Sequence, residues 1–121
     1  MDRADQKTFR EDRMITNGQM EAALNYLAES EQEWSELRAS KDLESKRLEI
    51  TLASGIIDSN SSTQAGKKVD ALDSKDYKET VEQYQQLLEA FYLVDAKRKR
   101  AEITIDTWRT LEASRRRGTI T

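Results

Sequence analysis

An all-α fold is predicted for this 121-residue chain by three observations. It contains no proline, its four glycines fall near expected helix ends, and its apolar residues recur at helical rather than alternating spacing. The predicted architecture is two long helices in an antiparallel hairpin or coiled-coil-like pair. A Ser/Asn/Gly loop and a short helix join them, in one domain that assembles into an oligomer.

Each element has its own signal. Residues 1–15 are expected to form either a short helix or a mobile arm. The first long helix is expected over 18–53. Thr16-Asn17-Gly18-Gln19 reads as its capping sequence, with Thr16 capping and Gln19 reaching back. Gly55 reads as its C-cap. The polar run Asp58-Ser59-Asn60-Ser61-Ser62-Thr63 marks a loop over 54–63, and a short helix follows over 64–72, so that 54–74 forms the connection. Asp73 or Ser74 is expected to cap a last helix over 75–117, closed by Gly118 after Arg115-Arg116-Arg117. At 1.5 Å per residue that helix is ~60 Å long.

The last helix carries a heptad. With Tyr77 at position a, the a residues are Tyr77, Tyr84, Phe91, Arg98, Ile105 and Glu112, and the d residues are Thr80, Leu87, Val94, Ala101, Trp108 and Arg115. Val81 and Leu88 widen the stripe. The exceptions sit at Arg98 and beyond Trp108. The first helix keeps one face with Met20, Leu24, Leu27, Trp34, Leu48 and Leu52, interrupted by Arg38, Lys41 and Ser45. Tyr77, Tyr84, Leu87, Phe91, Val94, Ile105, Trp108 and Trp34 are therefore the expected packing and oligomer seam. Tyr26 and Tyr92 lie off the main stripes and are the better candidates for an exposed ring.

Composition bounds what the chain can do. Charged and apolar residues each make up 36% and the mean hydropathy is −0.87, against about 25% charged and about 45–50% apolar in an ordinary domain. So polar a chain has little apolar surface for a wide core, and its stripes are expected to meet stripes of neighbouring copies. There is no cysteine and no histidine, which removes disulfides, thiolate and imidazole metal sites, and His-based triads. No cofactor and no metal are expected, nor an enzyme. The acidic pairs Glu29/Glu33 and Glu31/Glu33 lack an apolar pocket to split their pKa values and read as solvated faces. The charged N-terminus MDRADQKTFREDR does not resemble a signal peptide, and no apolar run reaches the ~18–20 residues of a membrane span. A soluble protein without membrane partners is expected.

Charge is distributed unevenly. From Lys97 onward there are eight basic residues, Lys97, Arg98, Lys99, Arg100, Arg109, Arg115, Arg116 and Arg117, against Glu102, Asp106 and Glu112. That quarter carries +5 and residues 1–96 carry −8, within a total of −3. Such a cluster suits phosphates, whose neutralisation releases condensed counterions. The alternative for Arg115–Arg117 is a solvated helix end whose cations complement the macrodipole. Four consecutive cations at 97–100 repel each other and project in every direction, so they point more strongly to an anion. Lys46, Arg47, Lys67 and Lys68 are secondary candidates, and Glu44 and Glu49 offer the first two ordinary i,i+3 pairing.

The segment Ala101-Glu102-Ile103-Thr104-Ile105-Asp106-Thr107-Trp108-Arg109-Thr110-Leu111-Glu112-Ala113-Ser114-Arg115-Arg116 carries the pattern Ala-Glu-x-x-Ile-x-x-Trp-Arg-x-x-x-Ala-x-x-Arg. With Thr63-Gln64-Ala65, Lys67-Lys68, Ala71-Leu72-Asp73-Ser74 and Asp76-Tyr77 upstream, the chain resembles the phage recombination mediators typified by UvsY. The resemblance covers residues 18–117, and its specific part is the last third. It implies a helical, ring-like oligomer that binds single-stranded DNA, displaces single-strand-binding protein and delivers the strand to a recombinase. It also implies a phage-coded protein acting in the bacterial cytoplasm. Trp108, Arg109 and the turn 97–100 are the positions onto which that role carries. The net acidity departs from this expectation and suits a mediator that must release its strand. The alternative function is a phage helical protein–protein interaction module, an assembly chaperone, scaffold or inhibitor of a host protein, without nucleic acid.

Overall fold

The computed structural model describes residues 15–120, so the expected arm lies, but for Ile15, outside the described residues. Three helices account for nearly all of them: α1 (Asn17–Asp58), α2 (Gln64–Leu72) and α3 (Lys75–Ile120). No strand occurs among the described residues.

Local chemistry explains the starts. The Gln19 N–H donates to Thr16 Oγ1 at 3.1 Å and the Thr16 N–H donates to Gln19 Oε1 at 2.9 Å, so two orphan donors are satisfied reciprocally. Thr63 caps α2 by accepting from the Gly66 N–H at 3.0 Å. Ser74 rather than Asp73 starts α3: its Oγ accepts from the Tyr77 N–H at 3.2 Å and donates to the Ala71 carbonyl at 2.7 Å. Asp73 instead holds Lys78 Nζ at 2.8 Å, and that lysine keeps the Asp73 carboxyl below the usual carboxylate range.

Two helix ends differ from the sequence reading. α1 does not stop at Ala53 with Gly55 as its cap; it runs through Gly55 to Asp58, and the connection to α2 shrinks to residues 59–63. No described glycine has a positive φ, so Gly55 is not there to turn the chain. It lets α1 approach α2: a Cβ on Gly55 would lie 2.8 Å from Ala71 Cβ and 3.0 Å from Ala71 Cα. Gly118 likewise lies inside α3, which continues to Ile120 rather than ending at Arg117.

The chain divides into two compact units, Met1–Glu31 with Ala96–Thr121, and Gln32–Asp95. In the first, Ala23, Ala101 and Ile105 form a buried cluster with Met20, Tyr26 and Leu27 against it. Trp108 Nε1 donates to Asn17 Oδ1 at 2.8 Å. In the second, Ala71, Thr80, Phe91 and Val94 are buried. The Trp34 and Phe91 rings lie 6.1 Å apart, tilted by 33°, and Trp34 Nε1 donates to Asp95 Oδ1 at 3.0 Å.

The heptad of α3 coincides with its covered face. Tyr77, Thr80, Tyr84, Leu87, Phe91 and Val94 in the second unit are buried or half-buried, as are Arg98, Ala101, Ile105 and Trp108 in the first. The apparent interruptions in α1 belong to that interior. Ser30 is buried, and Lys41, Glu44 and Ser45 are half-buried. Lys41 Nζ lies 5.0 Å from the Phe91 ring centroid and donates to Asp42 at 2.9 Å, a bond that raises the lysine's pKa and lowers the carboxyl's. Only Arg38 stays outside, its guanidinium 5.4 Å from the Trp34 ring centroid.

Candidate nucleic-acid interface

The cations of 97–117 all belong to the first unit, on α3, and they do not behave alike. One helical turn separates the members of the 97–100 cluster by about 100° each, and their environments follow. Arg98, at heptad position a, points inward. Its Nη1 donates to the Leu27 carbonyl and to Ser30 Oγ, both at 2.8 Å. The Ser30 hydroxyl in turn donates to the Tyr26 carbonyl at 2.6 Å. Arg98 is thus the half-buried member of the set that the sequence suggested as strand contacts.

Lys97, Lys99 and Arg100 are exposed. Lys97 and Arg100, one turn apart, flank a groove of about 390 Å³ in the first unit. Ile15, Gln19, Ala22, Ala23 and Tyr26 of the first segment line it, with Ala101 and Thr104 from α3. No carboxylate among the described residues lines it. Among the described residues neither Lys97 nor Arg100 takes part in an ion pair.

Further along α3 the cations are partly matched locally. Arg109 lies 3.9 Å from Asp106, and Arg115 lies 3.0 Å from Glu112, both as i,i+3 pairs. The Arg109 pair is exposed, weak in water and open to exchange for a phosphate, whereas Glu112 of the other is half-buried. Arg116 and Arg117 are exposed at the end of α3.

The secondary candidates sit in the second unit. Lys46, Arg47 and Lys68 are exposed and Lys67 is half-buried, with Arg47 3.5 Å from Glu44. Arg47 also borders a groove of about 730 Å³ whose wall includes Asp58, Asp70, Asp76 and Glu79. Four carboxylates against one guanidinium make that groove unfavourable for phosphate at Arg47.

Sequence reasoning offered Tyr26 as an exposed ring but missed that it is half-buried and lines a groove, because its neighbours come from segments some seventy residues apart. It also missed Ser30, a small polar residue that reads as neutral until Arg98 is placed beside it. Among the described residues no helix is long and apolar enough to cross a membrane, and no group of His, Cys, Asp or Glu side chains is arranged to hold a metal ion. No protein-family model matches the chain, and neither a curated protein nor a solved structure matches it significantly.

Proposed function

We propose that this chain is a non-enzymatic single-stranded-DNA-binding protein of the recombination-mediator kind, which helps to load a recombinase onto DNA covered by single-strand-binding protein. The observation that carries the reading is the edge of the first unit, where exposed Lys97 and Arg100 flank a groove that no carboxylate among the described residues lines. Lys99, Arg109 and Arg115–Arg117 continue the cationic surface along α3. The resemblance to the mediators typified by UvsY supplies the recombinase, the displaced single-strand-binding protein and the host cytoplasm as its setting.

Within each unit we read the α1 and α3 segments as an antiparallel pair. The supporting contacts descend in α3 as they ascend in α1: Asn17 with Trp108 and Leu27 with Arg98 in the first unit, Trp34 with Asp95 and Lys41 with Phe91 in the second. Self-association can use a face other than that seam. α1 offers one in the second unit, where Ala39, Leu43, Lys46, Ile50, Ala53 and Ile57 alternate at spacings of four and three. Leu43, Ile50 and Ile57 are 64%, 66% and 79% exposed. In a parallel pairing of two copies, Asp42 at g meets Arg47 at e of the other chain.

The same exposed stripe favours a second reading, a phage helical interaction module without nucleic acid, in which another protein's helix covers it. Fluorescence anisotropy with a labelled single-stranded oligonucleotide separates the two. Binding at low salt that weakens at higher salt is expected; no binding at low salt selects the interaction module.

A further inference from the structure

We propose that the groove bordered by Tyr26, Lys97 and Arg100 holds an individual nucleotide of the bound strand, with the base against the Tyr26 ring and the flanking phosphates on Lys97 and Arg100. This deepens the strand-binding reading and rests on it.

The argument begins with shape. The groove's volume of about 390 Å³ lies within the ~300–1,000 Å³ range of small-ligand sites. Its floor is made by Ala22, Ala23 and Ala101, side chains short enough to let a flat ring lie close to both helices. Tyr26 is half-buried. Its ring packs on one side against the Ala23, Ala101 and Ile105 cluster and also lines the groove. A ring held in this way is a stacking platform that loses little freedom when a base covers it.

Charge then selects the occupant. Lys97 and Arg100 stand at i and i+3, with Cβ atoms about 5–6 Å apart, a separation that suits neighbouring phosphates of an extended strand. Among the described residues no acidic side chain lines the wall, and Lys97 and Arg100 are its charged groups. Polar groups for a base edge are present as well. The Thr104 hydroxyl donates to the Arg100 carbonyl at 2.9 Å, which leaves its oxygen able to accept from a base amino group. Gln19 brings a side-chain amide. An apolar floor, an aromatic ring, two cations and two neutral hydrogen-bonding groups match the parts of one nucleotide.

The test compares two strands of equal length and phosphate number, an oligothymidine and an abasic oligomer, by anisotropy at low salt on the full chain. Wild type is expected to bind the oligothymidine about tenfold more tightly, within the range of one stacked base. Tyr26→Leu is expected to erase that preference and Tyr26→Phe to keep it, with helicity by circular dichroism unchanged in both. Lys97→Gln with Arg100→Gln, at exposed positions that do not threaten folding, is expected to weaken both strands. Equal binding of the two strands by wild type, or a preference that survives Tyr26→Leu, overturns the base site while strand binding stands. Should Tyr26→Leu lose helicity, Tyr26→Phe and the two-residue glutamine variant decide: a preference lost in the former, or affinities unchanged in the latter, overturns the site. Failure of both strands to bind wild type removes the strand-binding reading and the groove together.

Discussion

Arg98→Ala distinguishes a structural cation from a strand-binding one. Arg98 makes two charge-assisted hydrogen bonds, to the Leu27 carbonyl and to Ser30 Oγ, each at 2.8 Å. Bonds to a charged group contribute about 1.5–3 kcal/mol each. The lower end applies, because Ser30 keeps its bond to the Tyr26 carbonyl and the Leu27 carbonyl lies within α1, so neither oxygen is stranded. Truncation also removes the aliphatic stem that covers the seam. The sum is about 3 kcal/mol, which for a chain of this size lowers the thermal midpoint by roughly 10 °C. The assay pairs melting, followed by circular dichroism, with a salt series of single-strand binding below the variant's transition. A lowered midpoint with an unchanged salt dependence is expected. An unchanged midpoint with a shallower salt dependence would show Arg98 contacting phosphate, and the inward assignment would be wrong.

Four further outcomes follow from the same geometry. Lys97→Gln with Arg100→Gln should leave the thermal midpoint in place and reduce the magnitude of the salt slope by about 1.4, from about 0.7 per single-strand phosphate contact. Gly55→Leu should destabilise by about 1–3 kcal/mol through overpacking, because its Cβ already falls 3.0 Å from a backbone atom of Ala71; chemical denaturation measures it. Ile50→Lys should abolish self-association in light scattering without loss of helicity, since Ile50 is 66% exposed in the single chain. The carboxyls of Asp42 and Asp73 are held below their usual range by Lys41 and Lys78, so their contribution is present above the unfolded carboxylate pKa and lost as pH falls through the lower folded values. Asp73→Asn should remove part of the acid dependence in melting curves, and Lys41, raised by Asp42, should lose its share only in alkali.

What the sequence revealed and what it concealed divide along physical lines. The heptad from Tyr77 to Trp108 was legible because the same period repeats over some thirty residues, so that a single polar member such as Arg98 does not hide it. The start at Thr16 was legible because a capping box is made by residues three apart, while the last helix left Asp73 and Ser74 open until the Ser74 bond to the Tyr77 N–H was seen. Gly55 was not. A glycine read locally signals a stop, while its reason here is the nearness of Ala71, which only the tertiary arrangement provides. The face of α1 was partly hidden for a related reason: Lys41 and Ser45 look like breaks in an apolar stripe until they are found half-buried. At the candidate site, the excess of cations could be counted along the chain. Heptad position a already set Arg98 toward the seam; what it meets there could not be read, because the carbonyl and the hydroxyl come from some seventy residues away.

The most direct measurement is the dependence of single-strand affinity on salt for the wild-type chain, plotted as log K against log salt concentration. If Lys97, Arg100 and at least one of the cations further along α3 engage phosphates, the slope is about −2 or steeper, at about 0.7 per contact. A flat line, or no measurable affinity even at the lowest salt, would contradict an interface built from these side chains.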